Sequence, residues 1–179
     1  MMLNKILIEI PTDKPEFPEG ETYLTQQIDR PVSPIKYMAT NLYPTILESG
    51  LIASLQWLAC DFEEKNHIPL QFSSNVSEIR LDPLLTIGLF NIAQEACNNV
   101  SKHANASSVA MYLYHGEHKL QLEIIDNGLG METLQQHSIA SWGLRKMNER
   151  AISMGGDFTI ASAKGKGTLI RICVPLFPD

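Results

Sequence analysis

Apolar residues recur at three- and four-residue steps from Leu85 to Val100: Leu85, Leu89, Ile92, Ala96 and Val100 form one stripe. That spacing predicts an amphipathic helix over residues 82–104, because side chains three and four apart share a face. Asp82 is placed to cap its N-terminus, with Pro83 at the first helical position. A second stripe, Leu51, Leu55, Leu58 and Phe62, predicts a helix over 51–66 with Gly50 as the joint before it. Lys119 to Ile125 alternates instead. Leu120, Leu122 and Ile124 face one way and Lys119, Gln121 and Glu123 the other, which marks a half-buried strand. Further strands are predicted at 69–73 and 109–114, the second turning at His115-Gly116-Glu117. A helix over 143–154 stops at Gly155-Gly156. Phe158 and Ile160 start a strand, Lys164 to Gly167 turns, and Thr168 to Val174 closes the pattern with Ile170, Ile172 and Val174 on one face.

The first 32 residues are less regular. Leu3 to Ile10 is apolar enough for a short helix or strand, but Pro11, Pro15, Pro18 and Gly20 interrupt any regular element beyond it. From Ser33, the positions of Ile35, Met38, Leu42 and Ile46 predict a helix with Pro34 in its first turn, kinked or ended by Pro44. Composition then bounds the whole. With 179 residues, 44% hydrophobic and 19% charged, the chain has material for one core and a small appendage. A net charge of −6 argues against a nucleic-acid surface. Cys60, Cys97 and Cys173 show no metal spacing and read as buried free thiols in a reducing compartment. No apolar run approaches the roughly 20 residues that span a bilayer. No signal peptide is evident either, so these residues read as cytoplasmic, without membrane contact.

Candidate chemistry starts on the helix over 82–104. Glu95 and Asn99 stand one turn apart on a face beside the apolar stripe. A carboxylate and an amide oxygen so stacked can position a water and ligate a hard cation such as Mg²⁺. Lys102 comes a turn later, able to meet phosphate as a point charge. Taken alone, a solvated polar face on a core helix accounts for these residues better. Asp126-Asn127-Gly128-Leu129-Gly130 sits at a strand end, where the glycines permit positive φ and close backbone approach. An ordinary Asn-Gly turn is the plain alternative. Gly143-Leu144 opens a helix whose backbone N–H groups can bind phosphate, though a glycine there also lets the chain turn. Thr168 competes with an ordinary strand threonine.

Three stretches in order change that balance: LFNIAQEACNNVSKHA, EIIDNGLGM and WGLRKMNERAISMGGDFTIASAKGKGT. Their succession resembles the ATP-binding domain of sensor histidine kinases, in the superfamily shared with gyrase, the heat-shock chaperone ATPases and MutL. The wording QEACNNVSKHA and GLRKMNERA resembles the nitrate-sensor-type subfamily, and the resemblance covers about residues 33–175. It implies an α/β (α+β two-layer) sandwich with a mixed, mainly antiparallel sheet covered on one face by helices. Residues 51–179 would form the ATP-binding domain and 1–50 a partial dimerisation region and linker. ATP and Mg²⁺ are the implied cofactors, with Asn99 on the metal and Glu95 catalytic, positioning the attacking group or a water. Lys102 and the amides of Gly143 and Leu144 would meet the phosphates. Asp126 would select the adenine amine, with Gly128 and Gly130 passing the base and Thr168 at its far end. Met131 to Trp142 corresponds to a short lid.

The implied activity is that of a protein-histidine kinase passing the γ-phosphate to its own histidine and then to a response-regulator aspartate. A homodimer through the N-terminal helical region, in a full-length protein that is membrane-anchored in some members, belongs to the same picture. Yet none of the five histidines lies upstream of the Leu42–Gly50 joint, where a phosphoacceptor helix belongs. His67 reads as loop, His115 and His118 as hairpin and His137 as lid, all solvent-exposed. His103 reads as a helix-end residue tied to backbone. Leu3 to Ile10 then reads as the stump of a phosphoacceptor helix, which leaves a truncated piece or a degenerate kinase as alternatives. Two other classes stay open: a non-catalytic nucleotide-binding signalling module, and a serine-directed kinase of the anti-sigma type. A clamp of the gyrase or MutL kind would need domains that 179 residues cannot hold.

Overall fold

The computed structural model describes residues 46–131 and 142–176. The helix predicted from Ser33, the segment Leu3–Ile10, His137 and the interior of the predicted lid lie outside these residues. Helix α1 is Leu51–Asn66, and its stripe is buried as spaced, with Leu51, Leu55, Leu58 and Phe62 all among its buried residues. Gly50 precedes it at φ 87°, a backbone angle natural to glycine. The hydroxyl of Ser54, fully buried, lies 2.7 Å from Gly50 O and 3.0 Å from Ile46 O, which ties the incoming turn to the helix.

Helix α2, Pro83–Asn99, starts as expected, with Asp82 Oδ1 accepting the Leu84 N–H at 2.7 Å. Its end differs. The predicted α-helix to residue 104 instead gives way to a π turn, Val100–Ala104, with Asn105 after it in the left-handed region. Leu89, Ile92, Ala96 and Val100 are buried along the predicted stripe, with Leu85 packed at its edge. Helix α3 is Trp142–Ser153. Gly155 at φ 69° and the bonds from Gly155 N to Ile152 O and Gly156 N to Ala151 O close it, as the glycine pair predicted.

The strands are β1 Leu70–Ser74, β2 Val109–His115, β3 Lys119–Asp126, β4 Asp157–Ser162 and β5 Thr168–Pro175. They form one sheet in the order β1-β2-β3-β5-β4. Only β1 and β2 are parallel, joined by the crossover through α2; the other pairings are antiparallel. Met111, Leu122, Ile172 and their neighbours pack beneath α1, α2 and α3 on one face. Tyr112, Tyr114 and Ile125 stand exposed on the other. The expected mixed, mainly antiparallel sheet with helices on one face is the fold observed.

Of the three cysteines expected to be buried, only Cys97 is; Cys173 is half-buried. Cys97 is buried in α2, where desolvation pushes its thiol up to about 12, so it stays protonated. Cys60, expected to be buried, is exposed, because it falls between the stripe positions of α1 and faces away from the core.

The β4–β5 turn offers a stability test. Gly165 and Gly167 have nearly the same backbone angle, φ 70° and 72°, but a Cβ on Gly165 would meet open space. On Gly167 it would overlap Asp126 O and lie 2.8 Å from the same carbonyl carbon. Gly165→Ala should therefore cost about 1–2 kcal/mol from backbone strain. Gly167→Ala should cost a further ~1–3 kcal/mol from forced displacement. Urea unfolding of both variants checks this; equal losses would contradict the packing described.

Candidate functional site

Two supports frame a cavity of about 560 Å³ at the C-terminal ends of α2 and β3. The helical side supplies Ala96, Asn99 and Val100, then Lys102 and His103 from the π turn. The sheet side supplies Ile124, Asp126, Thr168 and Ile170. Leu144 of α3 and Met131 close it. The lining combines Val100, Ile124, Leu144 and Ile170 with Asn99, Lys102, Asp126 and Thr168, so it offers a flat ring aliphatic contacts together with polar groups that can recognise its edges.

Asp126 is the buried polar group here, only 6% exposed at the last position of β3. It accepts the Gly128 N–H at 2.8 Å, and the Thr168 backbone and hydroxyl also hydrogen-bond to it. Burial raises its carboxyl above the usual carboxylate range, and those hydrogen bonds pull it partly back. Thr168 lies directly across from Asp126 in the β3–β5 register.

The loop after Asp126 is pinned on several sides. Leu129 N donates to Ala104 O at 2.7 Å, and Gly165 N donates to Leu129 O at 2.6 Å. Met131 N donates to Ser162 Oγ at 2.9 Å, and that hydroxyl reaches Gly167 O at 2.9 Å and Thr168 Oγ1 at 3.1 Å. Asn127 uses its side chain as a clamp: Oδ1 accepts Ser107 N–H and Ser108 N–H, and Nδ2 donates to Ser107 Oγ.

The predicted site residues come together unevenly. Asn99, Lys102, Asp126, Gly130, Leu144 and Thr168 line the cavity. Glu95 and Gly143 lie beside it and against each other: a Cβ on Gly143 would overlap Glu95 Oε1 and come within 3.5 Å of Asn99 Nδ2. Two of the predicted glycines are also tight against protein backbone. Gly128 is pressed on the backbone of Ala104, and a Cβ there would lie 2.8 Å from that carbonyl carbon. Gly130, at φ 64°, is likewise pressed on Ala163. Their tight neighbours are protein backbone.

His103, read from sequence as tied to backbone, is exposed on the cavity wall. His115 and His118 flank the β2–β3 hairpin, at the end of β3 opposite Asp126. Ser162 and Asn127 were missed as organising residues. Ser162 carries no motif, and Asn127 read as half of a turn pair. Among the described residues no group of three or more His, Cys, Asp or Glu could hold a metal ion, and no helix is long and apolar enough to cross a membrane.

Residues 85–178 match the family described as "Histidine kinase-, DNA gyrase B-, and HSP90-like ATPase". The chain is 35% identical over 146 residues to "Sensor histidine kinase LiaS" of Bacillus subtilis (strain 168), covering 81% of this chain and 40% of that protein. It is 34% identical over 132 residues to "Sensor protein VraS" of Staphylococcus aureus (strain COL), covering 72% of this chain and 36% of that one. The chain thus spans about two fifths of the length of the curated relatives it matches. A solved structure, the "Histidine kinase domain from Erythrobacter litoralis EL346 blue-light activated histidine kinase", aligns with TM-score 0.55 at 16% identity. That alignment covers 66% of this chain and 57% of that one, a likeness of fold.

The raised carboxyl of Asp126 sets a pH dependence. A folded state that holds this proton more tightly than the unfolded chain is favoured at low pH. The contribution is complete below the unfolded value of about 3.9 and is lost as pH rises through the higher folded value. Asp126→Asn removes the titration, so its stability relative to wild type should increase between about pH 3 and pH 7. Urea midpoints across that range test this. A constant or shrinking difference would mean that the carboxyl is not raised.

Proposed function

We propose, because the chain belongs to the Histidine kinase-, DNA gyrase B-, and HSP90-like ATPase family, that its cavity binds Mg-ATP for transfer of the γ-phosphate to a histidine. The domain is the ATPase domain of a sensor histidine kinase, the class named for the relative LiaS. The carrying observation is one cavity that joins Asn99 and Lys102 to Asp126 and Thr168 across an apolar slot. Those groups suit the two ends of an adenine nucleotide.

Asp126 accepts the exocyclic amine, and Ile124, Ile170 and Val100 hold the ring. Lys102 and the backbone at Gly143 and Leu144 sit toward the phosphates. Asn99 would offer Mg²⁺ a hard oxygen donor. The ion supplies charge neutralisation on the phosphates; the chain positions it and the nucleophile. Glu95 orients the attacking group. Gly128 and Gly130 shape the base pocket by allowing its backbone walls to meet.

The phosphate acceptor belongs to a helix beyond residues 46–176, with a response regulator as the next acceptor. His115 and His118 stand at the end of β3 away from Asp126, roughly 23 Å along the strand at about 3.3 Å per residue. Residues 1–50 serve as part of a dimerisation region and linker and 51–179 as the ATP-binding domain. The wording of QEACNNVSKHA and GLRKMNERA favours the nitrate-sensor type, whereas the relatives matched carry the names LiaS and VraS.

Calorimetric titration with Mg-ADP and Mg-GDP tests the base assignment. ADP should bind and GDP should not, because guanine lacks the amine at the matching position. Asp126→Asn should weaken ADP by about 1–3 kcal/mol, the scale of a lost hydrogen bond to a charged group. Equal affinity for the two nucleotides in wild type would sink the assignment. In Asn99→Ala the fold should persist while ADP affinity loses its response to Mg²⁺. A metal response as large as in wild type would return Asn99 to a merely structural role.

A further inference from the structure

Helices α2 and α3 pack antiparallel, meeting at two glycines. Near one end, a Cβ on Gly88 would lie 3.3 Å from Met154 Cε and overlap its Sδ. Near the other, a Cβ on Gly143 would overlap Glu95 Oε1 and lie 3.3 Å from Glu95 Cδ. Gly143 differs in kind from Gly128, Gly130 and Gly167, whose missing side chains make room for backbone carbonyls that cannot step aside. The space beside Gly143 is filled by the movable tip of one carboxylate. Gly143 also lies within the first turn of α3 and is absent from the positive-φ residues, so its backbone accepts alanine.

We infer that Gly143 is a positioning residue for Glu95: the space left by its absent side chain seats the carboxylate, and a methyl group there displaces the carboxylate while sparing the fold. The seat lies on the first turn of a helix, where aligned peptide dipoles favour an anion. Asn99 Nδ2 borders the same space, 3.5 Å from where the methyl group would stand. The consequence for phosphoryl transfer rests on the role given to Glu95 above; the seat itself does not.

Three variants of the full chain decide it: Gly143→Ala, Glu95→Gln and the double substitution. Gly143→Ala should melt no lower than wild type, since alanine suits a helix better than glycine. The Glu95 carboxyl ¹³C resonance, assigned by its loss in Glu95→Gln, should move. With Mg-ATP and a histidine-bearing helical segment supplied in trans, labelling should fall about tenfold or more in each single variant. Adding Gly143→Ala to Glu95→Gln should then lower it by no more than about twofold, the non-additivity of residues acting as one unit. An unmoved resonance, a melting temperature lowered by several degrees, or losses that multiply would overturn the inference. Failure of the wild type to bind Mg-ADP would overturn the nucleotide reading instead, and the resonance would still decide the seat.

Discussion

Three backbone crossings hold the site together. The chain after Asp126 presses Gly128 on the carbonyl of Ala104 and Gly130 on that of Ala163, while Gly167 is pressed on the carbonyl of Asp126 itself. Hydrogen bonds from Leu129 N to Ala104 O and from Gly165 N to Leu129 O lock the same crossings. These contacts join the end of α2, the end of β3 and the β4–β5 turn at the mouth of the cavity. A side chain at any of the three would force backbone apart in a region with no slack. The glycines therefore act chiefly as close-packing residues, and the ligand pocket results from the surfaces they bring together.

The crossings also explain how a carboxylate comes to be buried. Asp126 ends β3 beneath the loop and opposite Thr168, so desolvation is imposed by the register of the sheet. The Gly128 N–H and Thr168 offset part of that cost. What remains is an acceptor held in place by its partners, in a cavity also lined by the aliphatic Val100, Ile124, Leu144 and Ile170. Such a group is selective because a ligand without a donor at that place would leave the carboxylate unmatched.

The helix side works by a different device. The last turn of α2 widens into a π turn, and Lys102 and His103 stand on the turned-out segment, lining the cavity. Insertions of this kind often accompany functional sites, since they redirect side chains without breaking the helix before them. Glu95 and Asn99, on the regular part just before, keep their one-turn relation and converge on the start of α3 at Gly143. The rigid helix sets the spacing, and the distorted end sets the reach.

Much of this was legible from local pattern alone. The stripe from Leu85 to Val100, the cap at Asp82, the alternation of Leu120, Leu122 and Ile124, and the Gly155-Gly156 stop all depend on short-range geometry, and each appears in the fold. The order of the three motifs was enough to indicate the family, and six of the residues they single out line one cavity. Local periodicity could not show the π turn at Val100–Ala104, because a helix reads the same until tertiary contacts pull its last carbonyl toward Leu129 N. Nor could it show that Gly128 and Gly130 face protein backbone, that Ser162 links Met131, Gly167 and Thr168, or that Gly143 leaves room for Glu95. Apart from the short links of Ser162 to Gly167 and Thr168, those relations join residues about 20 to 50 positions apart, and only sheet register and helix packing bring such residues within contact.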